Sequence, residues 1–458
     1  MKMKIIPLYD KVGFYGLFFT DKVEFNEFAS RINWEINDAF VETDSGEAIR
    51  ITSNGESRID RSELNKYLNP PVPFWIKDDF NFSCAVQNRF ADIRPKTAEV
   101  ISTMNCCFRC LQCSYREPKE KMGIWDKRIS ANMPAEHMGI IVDKLSDAGV
   151  ENIVFTGGGE PLANLETTLA GMKRAKEKGI NVGLYTNGFF LGGYAAGEIK
   201  KINPLFIRIS IYGMDPDNFQ RYTNADRENY YRVIDNVKNL LAEKNKGGLS
   251  SKIILSFLVH PELYPDAVCV DRFFEDYFTI EELKAFTYIR FTPAVDYYHH
   301  KQHEKSFFDP FFQRVNQNAE RLKYVVPIIV YMHRVNDLYK KNAFFQCLGS
   351  GFYVEVAPDG DVYLCCERLM NEDYRIGNML IDSINDIFRS EKREKLLRRI
   401  NDGKCQMCPP LCKPHEINKQ LVHINEFSDR QLWQWRTDLL EMATKSGIFS
   451  GNMNDFES

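Results

Sequence analysis

Long apolar runs are missing from this chain. None approaches the roughly 18 consecutive residues that a membrane-spanning helix needs. The opening MKMKIIPLYDKV is broken by Pro7, Asp10 and Lys11, so it does not read as a secretory signal. A charge field of one sign is missing too. The 59 basic and 63 acidic residues leave a net charge of -4, which favours neither nucleic acid nor an anionic membrane as partner. No low-complexity segment interrupts the sequence, and no repeat stands out beyond a strand–helix unit. Histidine is scarce, with eight in 458 residues and none beside the first group of cysteines. The expected compartment is the cytoplasm. Thiols stay reduced there, so cysteines serve as ligands or catalysts more readily than as disulfides.

Cysteine is what the chain has in excess. Ten of its twelve cysteines fall in two groups, near 106–113 and 347–412, with Cys84 and Cys269 outside them. A chain that used cysteine only as a small core residue would scatter them.

Four regions are expected. Residues 1–95 are aromatic-rich and read as a small α+β region: two strands around a Ser-Gly turn in 40–59, then a short helix to Leu68. Residues 96–325 alternate strand and helix, with strands at 98–103, 152–156, 181–186, 206–211, 252–259 and 287–292. Helices are expected at 135–148, 165–178, 193–201, 229–243 and 265–276. That alternation predicts parallel strands joined by right-handed crossovers, and the continuous apolar runs suit strands covered on both faces. Six units fit an open sheet or a partial barrel, and in either the chemistry collects at the carboxyl ends of the strands. Residues 326–425 form a cysteine-marked module, and 426–458 hold one helix, 428–444, and a tail.

Directly after the first strand comes TMNCCFRCLQCSY. Cys106, Cys110 and Cys113 have the spacing C-x3-C-x2-C. Three thiolates on one loop can hold a four-iron cluster and leave one iron open to a further ligand. A zinc site is the competing reading, but it needs a fourth ligand and no histidine lies nearby. Cys107 is the spare thiol. The loop resembles the cluster-binding loop of the radical S-adenosylmethionine (SAM) superfamily. That resemblance implies a partial (β/α)6 TIM-type barrel, a [4Fe-4S] cluster on Cys106, Cys110 and Cys113, and SAM chelating the open iron. It also implies a flavodoxin- or ferredoxin-type reductant. One departure is Gln112, where relatives usually have an aromatic residue.

The following strand ends carry the rest of the resemblance. FTGGGEP after the second strand is similar to the family's GGE motif, which implies that Gly158, Gly159 and Glu160 bind the SAM amino group. Asn187 after the third strand and Ser210 on the fourth are implied to face the SAM ribose or carboxylate. Arg221 matches an arginine that pairs with the carboxylate. Tyr212 stands where many relatives have aspartate.

The second group, Cys347, Cys365, Cys366, Cys405, Cys408 and Cys412, surrounds a hairpin whose turn is Pro358-Asp359-Gly360. It looks like the SPASM/twitch auxiliary iron–sulfur module. The full form has seven cysteines and two clusters; six are present here. One auxiliary [4Fe-4S] cluster is expected on Cys347, Cys365, Cys405 and Cys408, with Cys412 able to replace one of them. A structural zinc knuckle is the alternative. Cys366 is then either idle or a hydrogen-atom donor to a substrate radical.

The module points by resemblance to two substrate classes. The first expectation is a polar small molecule that is oxidised, epimerised or rearranged in natural-product biosynthesis. The alternative is a peptide that is cross-linked or epimerised, for which residues 1–95 would be the recognition region. A non-catalytic iron–sulfur carrier is a third reading; it would need the cysteines but not the strand-end motifs. HHKQH (299–303), with Asp296 and Tyr297, is read as a polar loop at the barrel mouth, and FFDPFFQ (307–313) as helix core.

Overall fold

From Thr97 onward the sequence alternates β-branched strands with amphipathic helices, and the chain builds one parallel sheet from them. The structure is a computed structural model. It describes residues 3–8, 11–43, 47–59, 61–68, 74–111, 113, 115, 132–260, 263–264, 269–295, 305–330, 344, 346–398 and 412–445. The chain divides into two units: residues 1–93, 343–351 and 413–458, and residues 94–342 and 352–412. This grouping differs from the four consecutive regions read from the sequence, because segments distant in the chain share one core.

The first unit holds β1 (Lys4–Pro7), β2 (Tyr15–Phe19), β3 (Asn37–Glu42), β4 (Ala48–Thr52) and β5 (Gly55–Ile59), in that spatial order. Only β2 and β3 run parallel. Phe18 and Phe40 pack with Leu64 and Tyr67 on one side, and Leu17, Phe19 and Ala39 pack with Ile32 on the other, as the two-residue period of a strand requires. Two strands were expected in 40–59 and three are found; Asn54-Gly55 makes the extra turn, with Gly55 at φ 131°. Helices His415–Leu421 and Asp429–Lys445 belong to this unit. Trp75 Nε1 donates to Gln420 Oε1 at 2.8 Å, and Trp435 Nε1 to the Leu8 carbonyl at 3.1 Å. These buried indole donors, each paired, tie the last helices to the first strand and the helix at Phe74–Lys77.

The second unit is a 10-stranded sheet. Its parallel series is β6 (Thr97–Ile101), β7 (Asn152–Thr156), β8 (Asn181–Thr186), β9 (Phe206–Ile211), β10 (Lys252–Val259), β11 (Tyr288–Pro293) and β12 (Ile328–Val330). β12 is a seventh strand beyond the six expected. The module contributes β13 (Tyr353–Val356), β14 (Asp361–Tyr363) and β15 (Arg375–Asn378). β13 pairs in parallel with β6, so the module extends the sheet at its first strand. Alternate residues divide the sheet's faces. Val100, Phe155, Leu184, Ile209, Leu255, Phe291 and Val354 lie in one buried cluster with the crossover helices. The intervening positions include Glu99, Arg208, Ser210, Ser256, Arg290 and Glu355, a polar face inside the partial barrel. Phe308, Phe311 and Phe312 are buried in helix Lys305–Leu322, in agreement with a core role for FFDPFFQ. Among the described residues no helix is long and apolar enough to cross a membrane.

Candidate active site

The cysteine loop leaves β6 and is held by each of the next three strand ends. Gly159 N–H donates to the Thr103 carbonyl at 3.1 Å and Glu160 N–H to the Asn105 carbonyl at 2.8 Å. Arg109 and Leu111 N–H donate to Thr223 and Tyr222 carbonyls at 2.8 and 2.9 Å, at the end of helix Pro216–Thr223. Phe108 is buried edge-to-face against Phe189 and Phe219, with ring centroids 5.6 and 5.2 Å away. An apolar plug between backbone clamps therefore fixes the loop, while Cys106, Cys110 and Cys113 remain wholly or partly accessible.

The glycines act by close approach. A Cβ on Gly159 would lie 2.1 Å from the Asn105 oxygen, and one on Gly158 would lie 2.2 Å from Met104 Sδ. Glu160 is 2% exposed. Its Oε1 accepts from Thr186 Oγ1 at 2.6 Å and Leu162 N at 3.1 Å, and its Oε2 from Asn187 N at 2.7 Å. Burial pushes the Glu160 carboxyl up to about 7, against the pull of those three donors. In this structure the carboxylate joins the ends of β7 and β8.

Asn187 lies under the cysteines. Its Nδ2 is 3.4 Å from Cys107 Sγ and 3.7 Å from Cys106 Sγ, and its Oδ1 accepts from Phe189 N at 3.0 Å. Phe108 N–H also donates to Cys106 Sγ at 3.4 Å. The Cys106 thiol is held below its ordinary value, first by its hydrogen bond with Cys107, and then by the Phe108 and Asn187 donors against burial. Donors converging on sulfur suit thiolate ligands. With three thiols on one clamped loop, the residues fit a [4Fe-4S] cluster with an open iron.

Ser210 sits on the interior face in register with Ser256 and, one strand further, Arg290. Arg221 is exposed and donates to Asn218 Oδ1 at 2.8 Å. Tyr212 stacks on Tyr222, with centroids 5.7 Å apart. Cys269 is a buried core thiol of helix Cys269–Tyr277. Cys347 belongs to the first unit, while Cys365, Cys366 and Cys412 belong to the second. Gln112, Cys405, Cys408 and the 296–303 loop lie outside the described residues.

Sequence reasoning missed a group on the interior face. Glu99 on β6 and Glu355 on β13 are register partners, and their carboxylates and Cys366 Sγ lie within 4.8 Å of one another. Tyr115, two residues past Cys113, is half-buried beside them, and desolvation and then the nearby Glu355 push its phenol well above the ordinary range. The available signal was a lone acid in each of two apolar strands, AEVI and YVEV.

Residues 100–261 match the radical SAM superfamily, and residues 347–409 match the SPASM iron–sulfur cluster-binding domain. An uncharacterized protein of Methanocaldococcus jannaschii is 27% identical over 136 residues, 30% of this chain and 40% of its own length. The chain thus spans about two fifths of that curated relative. Among solved structures, native anSMEcpe with bound AdoMet superposes at TM-score 0.50 and 16% identity, covering 78% of this chain and 100% of its own. SuiB of Streptococcus suis bound to precursor peptide SuiA gives TM-score 0.52 at 13% identity, over 77% of this chain and 79% of its own. Such domains carry a [4Fe-4S] cluster, SAM and auxiliary iron–sulfur chemistry. The chain carries a radical SAM domain followed by a SPASM iron–sulfur cluster-binding domain.

Proposed function

We propose that this protein is a radical SAM enzyme that modifies a peptide. One observation carries the choice of substrate. The fold that spans barrel and module together is shared with solved structures described with a bound peptide, anSMEcpe with Kp18Cys peptide and SuiB with precursor peptide SuiA. This reverses the order of the two substrate classes drawn from the sequence, where the polar small molecule came first.

Cys106, Cys110 and Cys113 would hold the SAM-binding cluster, and Cys347, Cys365, Cys405, Cys408 and Cys412 would supply the auxiliary ligands. When bound and reduced by an external flavodoxin- or ferredoxin-type protein, cluster and SAM supply a 5'-deoxyadenosyl radical that takes hydrogen from a C–H bond. The chain's own residues position that chemistry. Gly158 and Gly159 bring the loop after β7 against the cysteine loop. Glu160 locks that loop to Asn187, and its place beside the cysteines supports a SAM-amino contact. Ser210 supports a SAM contact from the interior face, and Arg221 one from the helix after β9. Cys366, beside Glu99 and Glu355, would serve as a hydrogen-atom donor to a substrate radical.

The test is anaerobic reconstitution, then SAM and dithionite, with and without a short peptide encoded beside this gene. Wild type is expected to form 5'-deoxyadenosine faster with the peptide and to change the peptide's mass or stereochemistry. Cys110→Ala is expected to form none. Stimulation by aminocyclitols or sugars but by no such peptide would return the choice to the small-molecule class.

A further inference from the structure

Helix His415–Leu421 begins three residues after Cys412 and buries Asn418, which is 2% exposed. The Asn418 amide is engaged at both ends. Its Oδ1 accepts the Gly349 N–H at 2.7 Å, and its Nδ2 donates to Cys347 Sγ at 3.3 Å. The first bond settles the orientation of the second. A backbone N–H can be paired only by the amide oxygen, so the NH2 group must face the sulfur. Glycine at 349 lets the loop come this close. A Cβ there would stand 3.0 Å from Ile417 Cβ and the Pro414 oxygen, and 3.1 Å from Asn418 Oδ1. The Cys347 backbone is fixed as well, because its carbonyl accepts from Ser350 Oγ at 2.7 Å and Ser350 N at 3.2 Å. Cys347 therefore stands on a rigid loop with a buried amide donor aimed at its sulfur, an arrangement that fits an iron–sulfur ligand.

A donor on a ligand sulfur interacts more strongly as that sulfur gains negative charge. Reduction of a cluster adds charge to its sulfurs, so the donor stabilises the reduced form and raises the potential. We propose that Asn418 is a positioning residue of the auxiliary iron–sulfur cluster and sets its reduction potential through the N–H···S bond to Cys347. The inference rests on the reading that Cys347 is a ligand of that cluster.

Asn418→Asp separates this role from a purely structural clasp. It keeps an oxygen for Gly349 and replaces the donor facing sulfur with a carboxylate. Asn418→Leu removes both bonds. The measurement uses the full chain with Cys106, Cys110 and Cys113 all changed to Ala, so that only the auxiliary cluster gives an electron paramagnetic resonance signal, followed in a redox titration. Asn418→Asp is expected to keep its iron and to move the one-electron equilibrium about tenfold toward the oxidised form, a midpoint about 59 mV more negative. An unchanged midpoint in Asn418→Asp, with only Asn418→Leu losing iron, would show a clasp and overturn the inference while leaving the ligand reading intact. A signal that survives Cys347→Ser unaltered would overturn the ligand reading and the inference together. Should both Asn418 variants fail to fold, hyperfine spectroscopy on the parent protein decides. With asparagine side chains labelled with 15N, the reduced cluster must show a weak nitrogen coupling, and its absence overturns the proposal.

Discussion

Three neighbouring glycines follow β7, and the structure ranks two of them as tests of how the cysteine loop is held. At Gly158 an added methyl would meet Met104 Sδ and Cε at 2.2 and 2.4 Å, the far end of a flexible side chain. At Gly159 it would meet the Asn105 oxygen and carbon at 2.1 and 2.5 Å and the Met104 carbon at 2.6 Å, all backbone of the segment leading into Cys106. Met104 can swing away, so Gly158→Ala is expected to cost about 1 kcal/mol, the low end for overpacking. The Gly159 contacts can be relieved only by moving backbone. That motion would break the Gly159–Thr103 and Glu160–Asn105 hydrogen bonds, so about 3 kcal/mol is expected, the high end. Gly197, in helix Gly193–Ile202 with nothing within 4 Å of an added Cβ, is the control. There the change to Ala is expected to stabilise by about 0.4–1 kcal/mol.

The assay is thermal unfolding of the apo protein together with iron content and 5'-deoxyadenosine yield after reconstitution. Gly159→Ala should lower the melting temperature by roughly 6 °C, taking about 2 °C per kcal/mol for a large domain, and should lose most of the loop cluster's iron. Gly158→Ala should keep its iron and most of its yield. If Gly159→Ala melts and binds iron like the parent, or if Gly158→Ala is the worse of the two, the backbone clamp is not what holds the loop.

Two further perturbations follow from buried charge. Glu160 keeps its proton up to about pH 7 in the folded apo protein against an ordinary value of 4.5, so its contribution to stability is fully present below about 4.5 and is lost as pH rises to about 7, roughly 3 kcal/mol in all. Glu160→Gln should flatten the denaturation midpoint across that window, and parallel pH profiles for the two proteins would count against the burial argument. In the first unit, Asp38 is 1% exposed and receives Lys11 Nζ at 2.8 Å and Arg50 Nη2 at 2.6 Å. Asp38→Ala leaves both cations facing a buried gap and is expected to cost about 3–5 kcal/mol, read from urea midpoints; a change below about 1 kcal/mol would mean that water reaches the pair.

The barrel strands were legible because each is a local statement. NIVFT, NVGLYT, FIRISI and KIILSFLV fold with the bounds their apolar runs suggest. β12 is only Ile-Ile-Val, too short to show a period, and β5 was hidden by reading past Asn54-Gly55, a hairpin signal in its own right. The cysteine loop and the strand-end motifs could be named from spacing. What Asn187 and Glu160 touch could not, because Glu160 to Asn187 and Asn187 to Cys107 are contacts between different strand ends. Asn418 carried no signal at all. It is one polar residue in a seven-residue helix, and its role comes from Gly349 and Cys347, some seventy positions earlier.

The pairing of β13 with β6 has a consequence that reaches the chemistry. A partial barrel leaves its first strand with an open edge, and an open edge is a row of unmatched backbone groups. Here that edge is filled by the first strand of the auxiliary module, in parallel register from Tyr353 opposite Thr97 to Val356 opposite Val100. Val354 and Val356 enter the barrel's helix-side core, so by the alternation of a strand Glu355 must turn to the interior, opposite Glu99. The hairpin that follows delivers Cys365 and Cys366 at the end of β14, where Cys366 joins the two carboxylates. One strand pairing thus brings a module thiol to the interior face, beside Glu99 and Glu355. A barrel without the module would lack Glu355 and Cys366 as well as the strand that closes its edge.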